Sequence, residues 1–215
     1  MTELRKNTGV IAAALLALLF VGPNYATTVE RLGFQDVVER SELIVEGTVE
    51  SVHSEYDTER RYIWTHVRIR VSNTIKGDPA GDEITLKFVG GTVNDLTLKV
   101  PSMNYPAVGD SGMYFVESPS RAQLHPLTGW DQGHYKVASD GTSGQHITTP
   151  DGLPVLGIRQ TQPPNEIEIS AGIARGVEVA RPQRAGQIVQ SPMQVTAFRA
   201  LVEALAREGN NEVPE

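Results

Sequence analysis

The chain has 215 residues, a formal net charge of −7 and no cysteine. That length suits one domain, and an ordinary hydrophobic content of 40% supplies a core without disulfide staples. The acidity argues against general nucleic-acid binding, which needs cations to neutralise phosphate.

The first 26 residues read as a targeting segment rather than as fold. Arg5 and Lys6 form a basic start, Gly9 to Gly22 is a short apolar run, and Ala26 is a candidate cleavage position. The run is short for a membrane span, so a cleaved secretory signal is the expectation and an uncleaved anchor the alternative. No cysteine follows it, which excludes a lipid-anchored form. Cleavage would remove two cations and one anion, leaving the remainder more acidic, with no membrane attachment. An exported chain without disulfides suits a bacterial periplasmic or secreted protein better than a small secreted eukaryotic domain.

Residues 27–150 read as an all-β domain. It opens with a short helix over 32–40, where Phe34, Val37 and Val38 make one apolar stripe. Strand one runs from Leu43 to His53 with Leu43, Val45, Gly47 and Val49 on one face. Val52 is out of phase, which predicts a bulge near Glu50 and Ser51. Gly47 inside the strand predicts a close backbone approach. Strand two alternates cleanly: Ile63, Thr65, Val67, Ile69 and Val71 face inward, and Tyr62, Trp64, His66, Arg68 and Arg70 face outward. It is expected to end at Asn73. Strand three carries Ile84, Leu86 and Phe88 inward and stops at Gly90 and Gly91. A hairpin-like return with Leu96, Leu98 and Val100 follows, then strands at Met113–Val116, His134–Val137 and Gln145–Thr148. Short strands divided by turn residues predict a small Greek-key barrel or a sandwich.

Residues 151–190 are rich in Pro, Gly and Gln and read as an irregular arm with one strand at Glu166–Ile169. Residues 191–208 predict an amphipathic helix. Ser191 would be its N-cap, with Pro192 at the first position and Gln194 completing a capping box. Val195, Phe198, Leu201, Val202 and Leu205 form its apolar stripe, and Gly209 its stop.

Four segments together carry a family resemblance. They are S-E-L-I-V-E-G-T-V over 41–49, V-x-N-x-I-K-G over 71–77, I-T-L over 84–86, and V-G-D-x-x-x-Y-F-V over 108–116. The pattern, spanning roughly 34–138, resembles the netrin-like module, the OB-type barrel shared with tissue inhibitors of metalloproteinases. It is also similar to a group of exported bacterial proteins with this strand arrangement. The resemblance implies an OB-like fold and a habit of binding other molecules. The animal inhibitors chelate protease zinc through an N-terminal cysteine, and a chain without cysteine cannot inherit that mechanism.

No catalytic constellation emerges from the motifs. Gly109-Asp110-Ser111-Gly112 matches a serine-protease tetrapeptide but lacks an upstream His and Asp in the right setting, so it reads as a turn into a strand. Gly141-Thr142-Ser143-Gly144 has the composition of a β-turn. The five histidines, His53, His66, His125, His134 and His146, lack helical metal-ligand spacing. The carboxylate pairs Glu46/Glu50 and Glu166/Glu168 read as solvated strand faces rather than an acid–base couple. No metal or cofactor is implied.

The outward face of strand two is the candidate ligand site. Tyr62, Trp64, His66, Arg68 and Arg70 place rings and cations in a row, suited to stacking on sugars and pairing with anions. The competing expectation is that the arm after Asp151 or the C-terminal helix covers Tyr62 and Trp64, with Arg68 and Arg70 paired to acidic residues of the arm. The function expected from these residues is a non-enzymatic exported binding module for a protein or polysaccharide. The alternatives are a protease inhibitor or regulator by fold analogy, and a hydrolase with an unrecognised site.

Overall fold

The computed structural model describes residues 29–139, 141, 144–180 and 190–211. The expected signal segment, and the Pro- and Arg-containing stretch 181–189 of the arm, lie outside the described residues.

Helix α1 (Phe34–Arg40) begins after Gly33, whose amide donates to the Asp36 carboxylate at 2.9 Å. Its buried side chains are the expected Phe34, Val37 and Val38. Its C-terminal carbonyls are satisfied from outside. The Ser41 hydroxyl donates to Val37 O at 2.6 Å, and Lys76 Nζ donates to Val38 O and Glu39 O at 3.0 and 2.8 Å. Burial lowers the Lys76 pKa, partly offset by the nearby Glu39 carboxylate.

The strands are β1 (Leu43–Tyr56), β2 (Ile63–Lys76), β3 (Glu83–Val89), β4 (Gly91–Val93), β5 (Leu96–Leu98), β6 (Ser111–Val116), β7 (His134–Ser139), β8 (Gln145–Thr148), β9 (Val155–Ile158) and β10 (Val177–Val179). Six of them form one antiparallel sheet in the order β3-β2-β1-β6-β7-β8. β6 returns beside β1 after the β1-β2-β3 meander, which is the Greek-key order. The expected bulge is present: the β1–β2 register shifts between Val49 and Ser51. β2 runs on to Lys76, three residues past the expected end at Asn73, because further register shifts keep it paired with β1 down to Ile44.

Gly47 and Gly112 face each other across β1 and β6. A Cβ on Gly47 would sit 2.4 Å from Arg70 O, and one on Gly112 would sit 2.5 Å from Tyr135 O. Both glycines are therefore required by the closeness of neighbouring backbone rather than by φ.

Two cores flank the sheet. The curl of β1, β2, β3 and β6 encloses Leu43, Val45, Val49, Val67, Ile69, Leu86, Phe88, Tyr114 and Val116, joined by Leu127. On the other face, Ile44, Met113, Phe115, Tyr135 and Ile147 pack against α1 and helix α2 (Val195–Asn211), whose Val195, Phe198, Val202 and Leu205 are the expected stripe. Phe34, Phe115, Tyr135 and Phe198 meet edge to face or tilted with centroids 5.0–5.9 Å apart.

Three expectations need correction. The sheet does not close into a barrel; β3 and β8 are its edges. The arm has no strand at Glu166–Ile169, where only an isolated bridge joins Ile169 to Glu30; its strands are β9 and β10, and it contributes Val155 and Ala174 to the core. The C-terminal helix starts at Val195 rather than after Ser191, and it runs through the expected stop at Gly209 to Asn211. Residues 191–194 are extended instead, because they cover the edge of β8: Ile147 N donates to Met193 O, and Met193 N to Val155 O. Pairing a buried edge outweighs a local capping pattern.

Gln132, in the 3-10 turn Trp130–Gly133, ties these parts together from a fully buried position. Its Oε1 accepts from Leu32 N at 2.7 Å, and its Nε2 lies 2.9–3.0 Å from the carbonyls of Glu30, Gly129 and Ser170.

Candidate functional site

The outward face of β2 holds the expected residues in a row, but their roles differ. Arg68 and Arg70 are spoken for by their sheet neighbours. Arg70 Nε donates to Glu50 Oε1 at 2.5 Å, and Arg70 also reaches Glu83 at 3.3 Å; Arg68 lies 3.7 Å from Glu50 and 3.8 Å from Glu83. The Glu50 hydrogen bond raises the Arg70 pKa. The acidic partners thus come from β1 and β3, not from the arm. His66 stands directly opposite His53, with its Nε2 3.1 Å from Glu55 Oε1.

Among the described residues no hydrogen bond, ion pair or ring contact joins the arm or α2 to Tyr62 or Trp64. Tyr62 remains 51% exposed. Trp64 is half-buried, with the Lys87 ammonium 4.5 Å from its ring centroid. The arm packs instead into the core beneath α1 and α2.

Trp64 and Lys87 stand on the rim of a groove of 640 Å³. The groove lies along the outer edge of β3, and its far wall is the loop 118–126. That loop returns beside the end of β6: Glu117 N donates to Pro126 O, Thr128 N donates to Phe115 O, and Val116 bridges Leu127. It reaches β3 at one end only, where Val89 N donates to Leu124 O at 2.9 Å and Val89 O accepts from Tyr105 Oη at 3.1 Å. Below that clasp no strand pairs with β3, and the buried Leu43, Leu86 and Val116 of the inner face form the floor of the groove.

Several of the other sequence candidates have structural partners, whereas the buried His146 Nδ1 has none among the described residues. Ser111 Oγ lies 2.7 Å from Thr48 Oγ1 at the start of β6. Glu46 is held by Arg199, Glu50 by Arg70, and Glu168 by Arg31 at 2.9 Å. His125 is stacked on Trp130 and meets the edge of Phe88, and His134 stacks on Tyr114. Burial lowers their pKa values to about 3 and about 4, so both rings are neutral at pH 7. Among the described residues no three His, Asp or Glu side chains converge to hold a metal, and no helix is long and apolar enough to cross a membrane.

A scan of the sequence against protein-family models gives no match, and a search of curated proteins gives none. The site therefore rests on its own geometry. Sequence reasoning found Trp64 but missed the far wall of the groove. The loop 118–126, with Pro119 and Pro126, carries no periodic pattern that would have placed it opposite β3.

Proposed function

We propose that this chain is an exported, non-enzymatic binding module with an OB-like curled sheet. Its ligand lies in the groove between β3 and the loop 118–126, with Trp64 and Lys87 at the rim. One observation carries the reading: a groove whose floor is the apolar Leu43, Leu86 and Val116 runs along the edge of β3 that no strand covers. A half-enclosed apolar channel with an aromatic and a cation at its mouth is the usual make-up of a ligand site. The charge network of Arg68 and Arg70 leaves those side chains as support for the sheet rather than as free anion receptors. Export and a periplasmic or secreted location are proposed from the basic and apolar N-terminal segment.

The test is capture of exported proteins and surface glycans of the source organism by residues 27–215, compared with three variants. Trp64→Ala and Ala122→Trp remove the rim ring and plug the groove; Arg68→Ala disturbs only the adjacent charge network. Loss in the first two with retention in the third is the expected result. A ligand kept by both groove variants would move the site elsewhere.

A further inference from the structure

Resting on the groove reading above, the geometry points to a specific occupant: an extended peptide that adds as a strand to the edge of β3. The backbone of β3 decides this. Gly90 N donates to Ile63 O and Asp82 O accepts from Val71 N, so the even-numbered residues of this stretch direct their backbone groups at β2. Val89 N donates to Leu124 O, on the opposite side. In an antiparallel strand, alternate residues send both N–H and C=O the same way. Glu83, Thr85 and Lys87 therefore present their amides and carbonyls to the groove, and among the described residues none of these groups has a backbone partner.

The opposite edge of the sheet is treated differently. β8 is covered by residues 193 and 194 and by Pro154. Native folds cover, shorten or charge their edges to prevent stray pairing. Here the bare edge coincides with an apolar groove, which is the arrangement used for strand addition.

The side chains state what the added strand must carry. Residues opposite Glu83, Thr85 and Lys87 share their exposed outer face, while the intervening residues point in toward Leu43, Leu86 and Val116. Glu83 is already paired with Arg68 and Arg70. Lys87 has no carboxylate within ion-pair distance among the described residues; its ammonium rests only on Trp64. The occupant is thus a peptide with apolar residues at alternate positions and an acidic residue opposite Lys87. It pairs antiparallel like the rest of the sheet, continuing the seam from the Val89–Leu124 clasp.

The probe is the synthetic peptide acetyl-Val-Glu-Val-Thr-Val-Thr-amide, titrated into 15N-labelled protein. Two controls carry N-methyl groups, one on the polar residues, whose amides would face β3, and one on the valines, whose amides would face away. The protein variant is Thr85→Pro. Its lost N–H is not part of the β2 ladder, so the sheet keeps its internal bonds. The expected result is hydrogen exchange at Thr85 and Lys87 slowed at least about tenfold by the peptide and by its valine-methylated form. Thr85→Pro and polar-residue methylation should each weaken binding at least about tenfold.

Equal binding of both methylated peptides, seen as equal shifts at the Trp64 indole, would overturn strand addition while leaving the groove as a ligand site. Absence of any change at residues 83–89 with millimolar peptide would overturn the inference, and the capture experiment would then judge the groove reading alone. Dimer formation without peptide, abolished by Thr85→Pro, would overturn it in favour of a second copy of the chain.

Discussion

Arg199 of α2 holds the Glu46 carboxylate of β1 in two parallel hydrogen bonds, Nε to Oε1 at 2.7 Å and Nη2 to Oε2 at 2.8 Å. The Glu46 side chain is 12% exposed and that of Arg199 35%. A fork of this kind fixes the helix over the sheet as well as neutralising the carboxylate. Arg199→Ala strands a nearly buried anion and should cost about 2 kcal/mol, less than a fully buried pair because water still reaches the guanidinium. Urea unfolding checks this, and a loss under about 0.5 kcal/mol would place the pair among ordinary surface bridges.

Stability should fall as the solution is acidified from about pH 6.5 toward pH 4. Burial holds His125 at about 3 and His134 at about 4, both below the ordinary 6.5. Between those values and 6.5 the unfolded chain binds protons that the folded chain refuses, so acid favours unfolding. Asp131 acts in the opposite sense. Burial raises it to about 6 from 3.8, against the Asn104 hydrogen bond, so over that range the folded state holds the extra proton. Two histidines outweigh one aspartate. Urea midpoints measured at pH 7 and pH 5 should drop, and the drop should steepen in Asp131→Asn and shrink in His134→Gln.

Gln132→Ala should be among the more damaging single changes outside the apolar core. It deletes the amide that meets Leu32 N and the carbonyls of Glu30, Gly129 and Ser170. Leaving buried backbone groups unpaired costs about 1–3 kcal/mol each, so a total near 3 kcal/mol is expected in thermal or urea unfolding. Gln132→Glu tests the mechanism: it keeps the acceptor for Leu32 N but turns a donor into a repelled oxygen, and should be no better than alanine.

Gly47→Ala should destabilise the sheet by roughly 1–3 kcal/mol, because its Cβ would collide with backbone at Arg70 O and with Ile69 Cγ2 at 2.5 Å. Gly152→Ala is the control. Its φ of +82° carries some strain, yet no atom lies within 4 Å of the new Cβ. A difference of less than about 0.5 kcal/mol between the two would mean the strands can separate at Gly47 without loss.

The sequence by itself determined the local geometry. Alternation set the two faces of β2, the misplaced phase of Val52 announced the bulge beside Glu50, and the spacing of Phe198, Val202 and Leu205 announced the face of α2. These signals are legible because they depend on a residue and its near neighbours in the chain. Long-range competition decided the rest. The start of α2 moved to Val195 because β8 needed an edge cover, and Arg68 and Arg70 found Glu50 and Glu83 because pairing register, not sequence distance, made them neighbours. The open seam is of the same kind. Whether the β3 edge meets a partner depends on where the loop 118–126 comes to rest, and that follows from its bonds to Phe115 and Glu117 and the single clasp at Val89.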